Sequence, residues 1–311
     1  MKRFARLLLR TIIFIFILLN VVVAFHAYKF THFYNPGEIV IKKQNEKTGW
    51  DKTKEILFGI NAVKQINIAP DTNFKTVYLT TKDGLKLAAW YIPTENAKGT
   101  VALFHGHGGK KSGVLNEAAG FRKIGYNTLL LDFRAHGSSE GHITTIGFKE
   151  SEDVKLVYDY LKNTGEKNIV LWGISMGAAT ITKAINDYDL QPTKIILEMP
   201  FGSMMDAVEG RVKMMKLPAE PISTLLTFWG GTEHGFWAYG MKPTEYAKKI
   251  KCPVLMQWGL HDPRVTQRET NEIYNNISTP KKLVVYESCA HESLCTKENA
   301  KWINEVTAFL Q

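Results

Sequence analysis

The residues best suited to chemistry begin with a serine between two glycines. Residues 173–177 read Gly-Ile-Ser-Met-Gly, after the apolar run Ile169–Trp172 and before a helical pattern from Ala178. This context predicts a strand, a tight turn and a helix, with Ser175 at the turn. Glycines are needed because side chains two residues from the serine would collide, and the helix N-terminus would stabilise negative charge beside the hydroxyl. The motif predicts a nucleophilic serine, with an ordinary strand–helix turn as the alternative.

A nucleophilic serine needs a base, and the base needs a carboxylate that orients it. Among nine histidines, only His291 lies beyond the last apolar run, Leu283–Tyr286. Asp262 lies in the turn after another run, Val254–Trp258. Because open α/β sheets place their sites at the carboxyl ends of strands, we expect these side chains to lie together. The sequence predicts Ser175 as nucleophile, His291 as base and Asp262 as orienting acid.

Each of these assignments has an alternative. Glu198 ends the predicted strand before that of Asp262 and is a second candidate for the acid. Pro263 fixes the chain direction after Asp262, whereas Glu198 leads into a long insertion, so we expect Glu198 to be a structural or pocket-wall carboxylate. In the simplest alternatives His291 is a surface loop histidine, and Asp262 caps a helix or forms a turn.

A glycine-rich segment is the candidate oxyanion hole. Residues 104–109 read Phe-His-Gly-His-Gly-Gly and follow a predicted strand. Glycine lets the backbone approach a substrate oxygen closely, so the amides of His107 and Met176 are the expected donors. His105 and His107 also have the spacing of a zinc pair, but no matching ligand cluster follows them, and no metal is expected.

The elements that must position these residues alternate along the chain. Continuous apolar runs are typical of parallel strands covered on both faces, and strands alternating with helices give an α/β sheet. The predicted strands are 74–80, 85–92, 100–104, 128–131, 169–172, 195–197, 254–258 and 283–286; the predicted helices are about 112–124, 148–163, 176–186, 265–277 and 296–310. The alternation breaks once, at a segment rich in Met and aromatic residues, which predicts a helical cap at about 201–247. The cap suggests an apolar acyl or aryl substrate group, unless these side chains form its own core.

The N-terminus predicts a membrane helix. Four cations among residues 1–10 precede an uncharged apolar run, Thr11–Tyr28. A helix of this length spans ~27 Å, close to the ~30 Å of a bilayer core. The preceding cations place the N-terminus in the cytoplasm and the remainder outside. We expect residues 1–28 to be an uncleaved anchor; a signal peptide cleaved near Ala24, giving a secreted protein, is the alternative.

Charge and cysteine content limit the remaining possibilities. The net charge is +9, of which residues 1–55 carry +6, so the body of the chain is nearly neutral. A nucleic-acid-binding domain usually has a concentrated basic stripe, so no nucleic-acid partner is expected. Residues 29–70 are expected to form a Lys-rich connecting region and residues 71–311 the catalytic domain. Three cysteines are too few to form a disulfide scaffold in a chain of this length, although Cys289 and Cys295 could pair in an oxidising location.

One further segment resembles a known family. Residues 131–141 read Leu-Asp-Phe-Arg-Ala-His-Gly-Ser-Ser-Glu-Gly. They are similar to the Asp-x-Arg-Gly-x-Gly-x-Ser turn of serine-aminopeptidase-like and monoglyceride-lipase-like α/β hydrolases, except that Ala135 replaces the usual glycine. Residues 243–264 resemble the cap-to-acid segment of the same group, many bacterial members of which carry an N-terminal membrane helix.

The resemblance covers about residues 74–311. It implies the α/β-hydrolase fold, with a mostly parallel central sheet, helices on both faces and a helical cap insertion. By position it implies Ser175 as nucleophile, Asp262 as orienter, His291 as base, and the amides of Met176 and His107 as the oxyanion hole.

The expected reaction is therefore hydrolysis of an ester, without a cofactor, through an acyl-enzyme on the serine. A serine nucleophile argues against dehalogenase or epoxide-hydrolase chemistry, for which similar folds use aspartate. The expected partners are a small-molecule acyl substrate and the membrane. A peptidase or thioesterase with the same three residues is one alternative, and a membrane-tethered binding protein without catalysis is another. The superfamily varies its substrate freely, so the resemblance names none.

Overall fold

A computed structural model describes residues 2–311, and a mostly parallel sheet forms its centre. Eight strands form this sheet, and a pair of two-residue strands lies outside it. The short pair is β1 (Phe33–Tyr34) and β2 (Ala62–Val63), and the sheet contains β3 (Lys75–Thr80), β4 (Lys86–Ile92), β5 (Thr100–Phe104), β6 (Asn127–Leu131), β7 (Ile169–Ile174), β8 (Lys194–Glu198), β9 (Val254–Gly259) and β10 (Lys281–Tyr286). Each sheet strand begins and ends within two residues of its predicted bounds.

The strands lie in the order β10-β9-β8-β7-β5-β6-β4-β3. Strand β4 pairs antiparallel with both β3 and β6, and every other pair in the sheet is parallel. In the middle of the sheet Val101, Leu171 and Ile196 have no solvent exposure. A strand covered on both faces needs apolar side chains at successive positions, which is why these strands have continuous apolar runs.

Helices surround the sheet and confirm the α/β class expected from the sequence. They are α1 (Lys2–Thr31), α2 (Gly49–Phe58), α3 (Leu115–Lys123), α4 (Glu150–Asn163), α5 (Met176–Tyr188), α6 (Met204–Met214), α7 (Ile222–Glu233), α8 (Pro243–Tyr246), α9 (Gln267–Asn276), α10 (Leu294–Lys297) and α11 (Asn299–Leu310). Helix α4 contacts α5, and α3 contacts α10. Phe121 of α3 also packs edge-on against the buried Trp302 of α11.

Two regions differ from the sequence-based expectation. The predicted helix over 296–310 is divided into α10 and α11, because Glu298 has a non-helical backbone and its carboxylate accepts hydrogen bonds from the amide and hydroxyl of Ser288. The segment expected to be a connecting region, 29–70, contains the end of α1, the β1–β2 pair and α2. Helix α1 continues to Thr31 because its last turns are buried against the protein.

The predicted cap segment, 201–247, contains α6, α7 and α8, and α1 packs against it. The Trp229 indole of α7 donates to the Asn20 side-chain oxygen of α1 at 3.1 Å. His234, just after α7, lies 2.6 Å from the Thr31 hydroxyl. Helix α1 is long and apolar enough to span a membrane or to serve as a signal sequence. Its C-terminal turns are nevertheless part of the folded domain.

Candidate active site

Ser175 lies at a strained turn between β7 and α5. Its φ is +54°, a value that L-residues rarely adopt, and its amide donates to the Glu198 carbonyl at 2.8 Å. A Cβ at Gly177 would lie 2.1 Å from the Phe104 carbonyl oxygen, and one at Gly173 would lie 2.6 Å from the Gly177 backbone. Both glycines are therefore required to hold the serine in this conformation.

His291 joins the serine to an aspartate. Its Nε2 lies 2.9 Å from Ser175 Oγ, and its Nδ1 lies 2.7 Å from Asp262 Oδ2. The Asp262 side chain is fully buried, and its second oxygen accepts from the amides of Arg264 at 2.7 Å and Val265 at 2.9 Å. The structure thus brings together the three residues that the sequence singled out. We call them the Ser–His–Asp set.

Backbone contacts between the loops after β9 and β10 fix the position of His291 relative to Asp262. The Leu260 amide donates to the Tyr286 carbonyl at 2.9 Å, and the His261 amide donates to the Cys289 carbonyl at 3.0 Å. A Cβ at Gly259 would lie 2.4 Å from the Ala290 carbonyl oxygen, so this position also requires glycine. The loops can approach this closely because β9 and β10 are parallel neighbours.

Glu198, the competing acid, has a different environment. It is fully buried, and its Oε1 accepts hydrogen bonds from the indoles of Trp172 at 2.9 Å and Trp302 at 2.6 Å. Burial, reinforced by the nearby Glu117 carboxyl, raises the pKa of Glu198 to about 8. A carboxyl that burial keeps largely neutral, and that accepts hydrogen bonds from two indoles, is suited to a structural role.

The glycine-rich loop after β5 packs against the serine turn. A Cβ at Gly106 would lie 3.5 Å from the Ser175 Cβ. The Gly108 amide donates to His136 Nε2 at 3.0 Å, and the Phe133 amide donates to His105 Nε2 at 3.2 Å. Burial lowers the pKa of His105 to about 3, so its imidazole is neutral and can accept this bond. Among residues 2–311, no hydrogen bond uses the amides that the sequence proposed for an oxyanion hole.

The turn over 131–141 packs against the glycine-rich loop and helps to hold it in place. The Asp132 carboxylate accepts from the Lys111 amide at 2.6 Å and from the Ser138 amide at 2.8 Å. Ala135, where similar turns usually have glycine, has a φ of +62°, so this alanine adopts the backbone conformation that favours glycine. At Gly137 glycine is retained, because a Cβ there would lie 2.3 Å from the Asp132 carboxylate.

Two cavities lie beside the Ser–His–Asp set. The smaller, of about 40 Å³, is lined by Ser175 and His291 and is called the serine cavity. The larger, of about 670 Å³, lies between α1, α2, α6 and α7 and is called the cap cavity. Five residues line both cavities: Phe30, Ile146, Val208, Arg211 and Arg264.

Three residues that line the serine cavity were not predicted from the sequence: Phe30, Arg211 and Arg264. Phe30 lies at the end of α1, where its ring stacks on His107 with the centroids 4.5 Å apart. The guanidinium carbon of Arg211 lies over the Phe30 ring, 4.8 Å from its centroid. No motif marks these positions, because their proximity to Ser175 depends on how α1 and α6 pack.

The three cysteines are buried free thiols. Cys289 lies 3.6 Å from a Glu298 carboxylate oxygen, and Cys295 lies 3.6 Å from the Asn116 carbonyl oxygen. The pairing of Cys289 with Cys295, which the sequence permits, is not formed in this structure. Burial raises the pKa of Cys289 to about 11, so its thiol is a poor nucleophile at neutral pH.

Comparisons with known proteins agree with the fold of the chain. Residues 95–235 match the family model described as serine aminopeptidase, S33. YqkD of Bacillus subtilis is 26% identical over 73% of this chain and 76% of its own length. The lysophosphatidylserine lipase ABHD12 of Danio rerio is 25% identical over 64% of this chain and 52% of its own length. The solved esterase Pf2001 of Pyrococcus furiosus is similar with a TM-score of 0.66 and 25% identity, over 79% of this chain and 95% of that structure.

The chain therefore has the α/β-hydrolase fold, and these matches support a hydrolytic enzyme.

Proposed function

We propose that this α/β hydrolase is a serine esterase that cleaves carboxylic esters through an acyl-enzyme on Ser175. The observation that carries the proposal is the position of His291. Its two ring nitrogens lie within hydrogen-bonding distance of Ser175 Oγ and Asp262 Oδ2. This is the geometry that a base needs in order to take a proton from a nucleophile while a carboxylate holds its tautomer.

The reaction would proceed in two halves. His291 Nε2 accepts the Ser175 proton as Oγ bonds to the ester carbonyl carbon, and the resulting oxyanion is held by the amides of His107 and Met176. The imidazolium then protonates the leaving alcohol as its C–O bond breaks, leaving the acyl-enzyme. His291 next takes a proton from water, whose oxygen attacks the acyl carbon, and returns that proton to Ser175 as the acid leaves.

A peptidase is the second candidate, because the matching family model is described as a serine aminopeptidase. An aminopeptidase has to accommodate the positive α-amino group of its substrate beside the scissile bond. Two arginines line the serine cavity, and among residues 2–311 no carboxylate does. Because like charges repel an ammonium group, the cavity favours an ester over a peptide with a free N-terminus. A thioester would be attacked by the same groups.

A labelling experiment tests the proposal on the full chain in detergent. A fluorophosphonate probe should label the wild type, and acyl p-nitrophenyl esters should be hydrolysed. Ser175→Ala should lose both properties without unfolding, whereas Ser278→Ala, at an exposed loop serine, should keep both. More than a few per cent of residual activity in Ser175→Ala would contradict the proposal. An aminoacyl p-nitroanilide cleaved faster than the ester would favour the peptidase, and a faster acyl thioester would favour the thioesterase.

We also propose that α1 is an uncleaved anchor, with the catalytic domain outside the cytoplasm. The four N-terminal cations support this orientation, and the burial of Val23, Ala27 and Thr31 against the domain supports retention of the helix. Protease added to spheroplasts should digest the catalytic domain. N-terminal sequencing should return the start of α1, whereas a mature chain beginning at Phe25 would establish a cleaved signal.

A further inference from the structure

Two arginines where the cavities meet lack the partners that buried arginines usually have. Arg211 lies on α6, and Arg264 follows Asp262 in the loop after β9. Within residues 2–311 no carboxylate oxygen lies within 4.0 Å of either guanidinium group. Arg264 Nε is buried without a hydrogen-bond partner. The one polar side-chain contact of Arg211 is a long one, 3.5 Å to His107 Nδ1.

Other arginines of the chain show what is missing here. Buried Arg134 contacts Asp153 at 2.6 Å and Glu152 at 3.0 Å. Exposed Arg268 contacts Asp206 at 2.6 Å. By contrast, burial and the neighbouring charge of Arg264 lower the pKa of Arg211 to about 10. Placing two like charges together in a partly buried site is unfavourable unless an anion neutralises them, so the pair is suited to binding one.

The cap cavity supplies the other half of the site. Its volume of about 670 Å³ is within the ~300–1,000 Å³ of ordinary ligand pockets, and its lining is mostly apolar. The last turns of α1, including Ala27 and Phe30, form one wall. Its charged lining residues besides the two arginines are Lys29, Lys52 and Glu55, and the Glu55 carboxylate is paired with Lys47 at 2.7 Å. The cavity therefore offers an apolar volume with a net positive end beside Ser175.

We propose that Arg211 and Arg264 bind an anionic headgroup of the substrate, such as a phosphate, while its acyl chain occupies the cap cavity. This proposal rests on the proposed esterase function and specifies its substrate class as an anionic single-chain acyl ester. The arginines line the serine cavity, so a headgroup held there lies next to the scissile bond. The wall formed by the membrane helix would let an acyl chain enter from the bilayer side.

The test compares two substrates with the same acyl chain, using the full-length protein in neutral detergent micelles. One is 1-oleoylglycerol 3-phosphate and the other is 1-oleoylglycerol. The wild type should show a kcat/KM about 10-fold or more higher for the phosphate ester, the size of a charge-assisted hydrogen bond. Arg211→Gln and Arg264→Gln should each lower this ratio by roughly 10-fold, and Arg211→Lys, which keeps the charge, should lower it less.

The control for general attraction to anionic micelles is Lys213→Gln, an exposed cation on the same helix that is paired with Glu209. It should leave the ratio unchanged. Fluorophosphonate labelling of each variant shows that the serine site is still folded. Inorganic phosphate is tested separately as an inhibitor. Competitive inhibition that weakens in Arg211→Gln shows that the arginines bind the free anion. If phosphate does not inhibit and the wild type still prefers the phosphate ester, the anion is recognised only as part of the lipid. Both results support the site.

Equal kcat/KM values for the two esters, or a preference that survives both arginine substitutions in labelled protein, would overturn the proposal. If the protein hydrolyses neither ester and also fails to react with the fluorophosphonate, the esterase function itself is contradicted. The two failures are therefore distinguishable.

Discussion

The Ser–His–Asp set and the cap cavity adjoin each other, but they are assembled from different kinds of structure. Each residue of the set follows a strand of one parallel sheet, so the strand ends bring the three side chains together. The cap cavity is formed where α1, α2, α6 and α7 meet. None of these helices belongs to the sheet. A rigid scaffold thus holds the reacting atoms, while helices added to the scaffold shape the volume beside them.

The largest effect that this comparison predicts is on the sheet side. Asp262→Asn should lower kcat by about 10⁴, because the orienting carboxylate holds the tautomer of His291 and stabilises its charged form. Glu198→Gln is the matched control, since its carboxyl contacts Trp172 and Trp302. It should change kcat little in assays with p-nitrophenyl esters. An inactive Glu198→Gln together with a nearly normal Asp262→Asn would move the acid one strand earlier.

The serine turn should tolerate no added atom. In Gly177→Ala the new Cβ would lie 2.1 Å from the Phe104 carbonyl oxygen, so the backbone would have to move. We expect a loss of about 3 kcal/mol or more in the free energy of unfolding, comparable to strong overpacking, with loss of fluorophosphonate labelling. Gly230→Ala, in α7 with open space around its Cβ, should be neutral or stabilising by up to about 1 kcal/mol. Denaturant unfolding of both variants checks this difference, and equal stabilities would show that the turn is not strained.

On the cavity side the effects should be smaller and should appear in KM. Phe30→Ala removes a ring that contacts both His107 and Arg211. This should raise KM for long-chain esters by roughly 10-fold and change the KM for short esters less. Phe14→Ala is the control, because that ring is exposed on the outer part of the same helix. An ester panel of increasing chain length measures the effect. Equal KM changes in the two variants would mean that α1 contributes only membrane attachment.

The same division decides what the sequence can predict. Strand bounds and the positions of Ser175, Asp262 and His291 follow from local patterns, because apolar runs, glycine spacing and chain order each occupy a few neighbouring residues. The fold class and the proximity of these three side chains were predicted correctly, and their catalytic roles stay predictions. Phe30 and Arg211 could not be identified, because their positions depend on contacts between segments far apart in the chain. The extension of α1 to Thr31 has the same cause, since burial against α7 stabilises its last turn.

The smallest expected effect concerns the carboxyl that the sequence offered as an alternative acid. Burial raises the pKa of Glu198 from its ordinary 4.5 to about 8, so the folded protein keeps this proton at pH values where the unfolded chain releases it. The stability that the neutral carboxyl contributes is therefore fully present below about pH 4.5 and is lost as the pH rises through about 8.

Glu198→Gln does not titrate there, and its amide can still accept from both indoles, although its NH₂ group takes the place of an oxygen that has no partner. The stability lost through this NH₂ group is the same at every pH. Because only the wild type loses stability as the pH rises, the difference in Tm between variant and wild type should shift in favour of the variant from pH 6 to pH 9. The exposed Glu95→Gln should give the same small Tm difference at both pH values. A pH-independent difference for Glu198→Gln would mean that the carboxyl is already ionised in the folded protein, with the two indoles donating to a charged carboxylate.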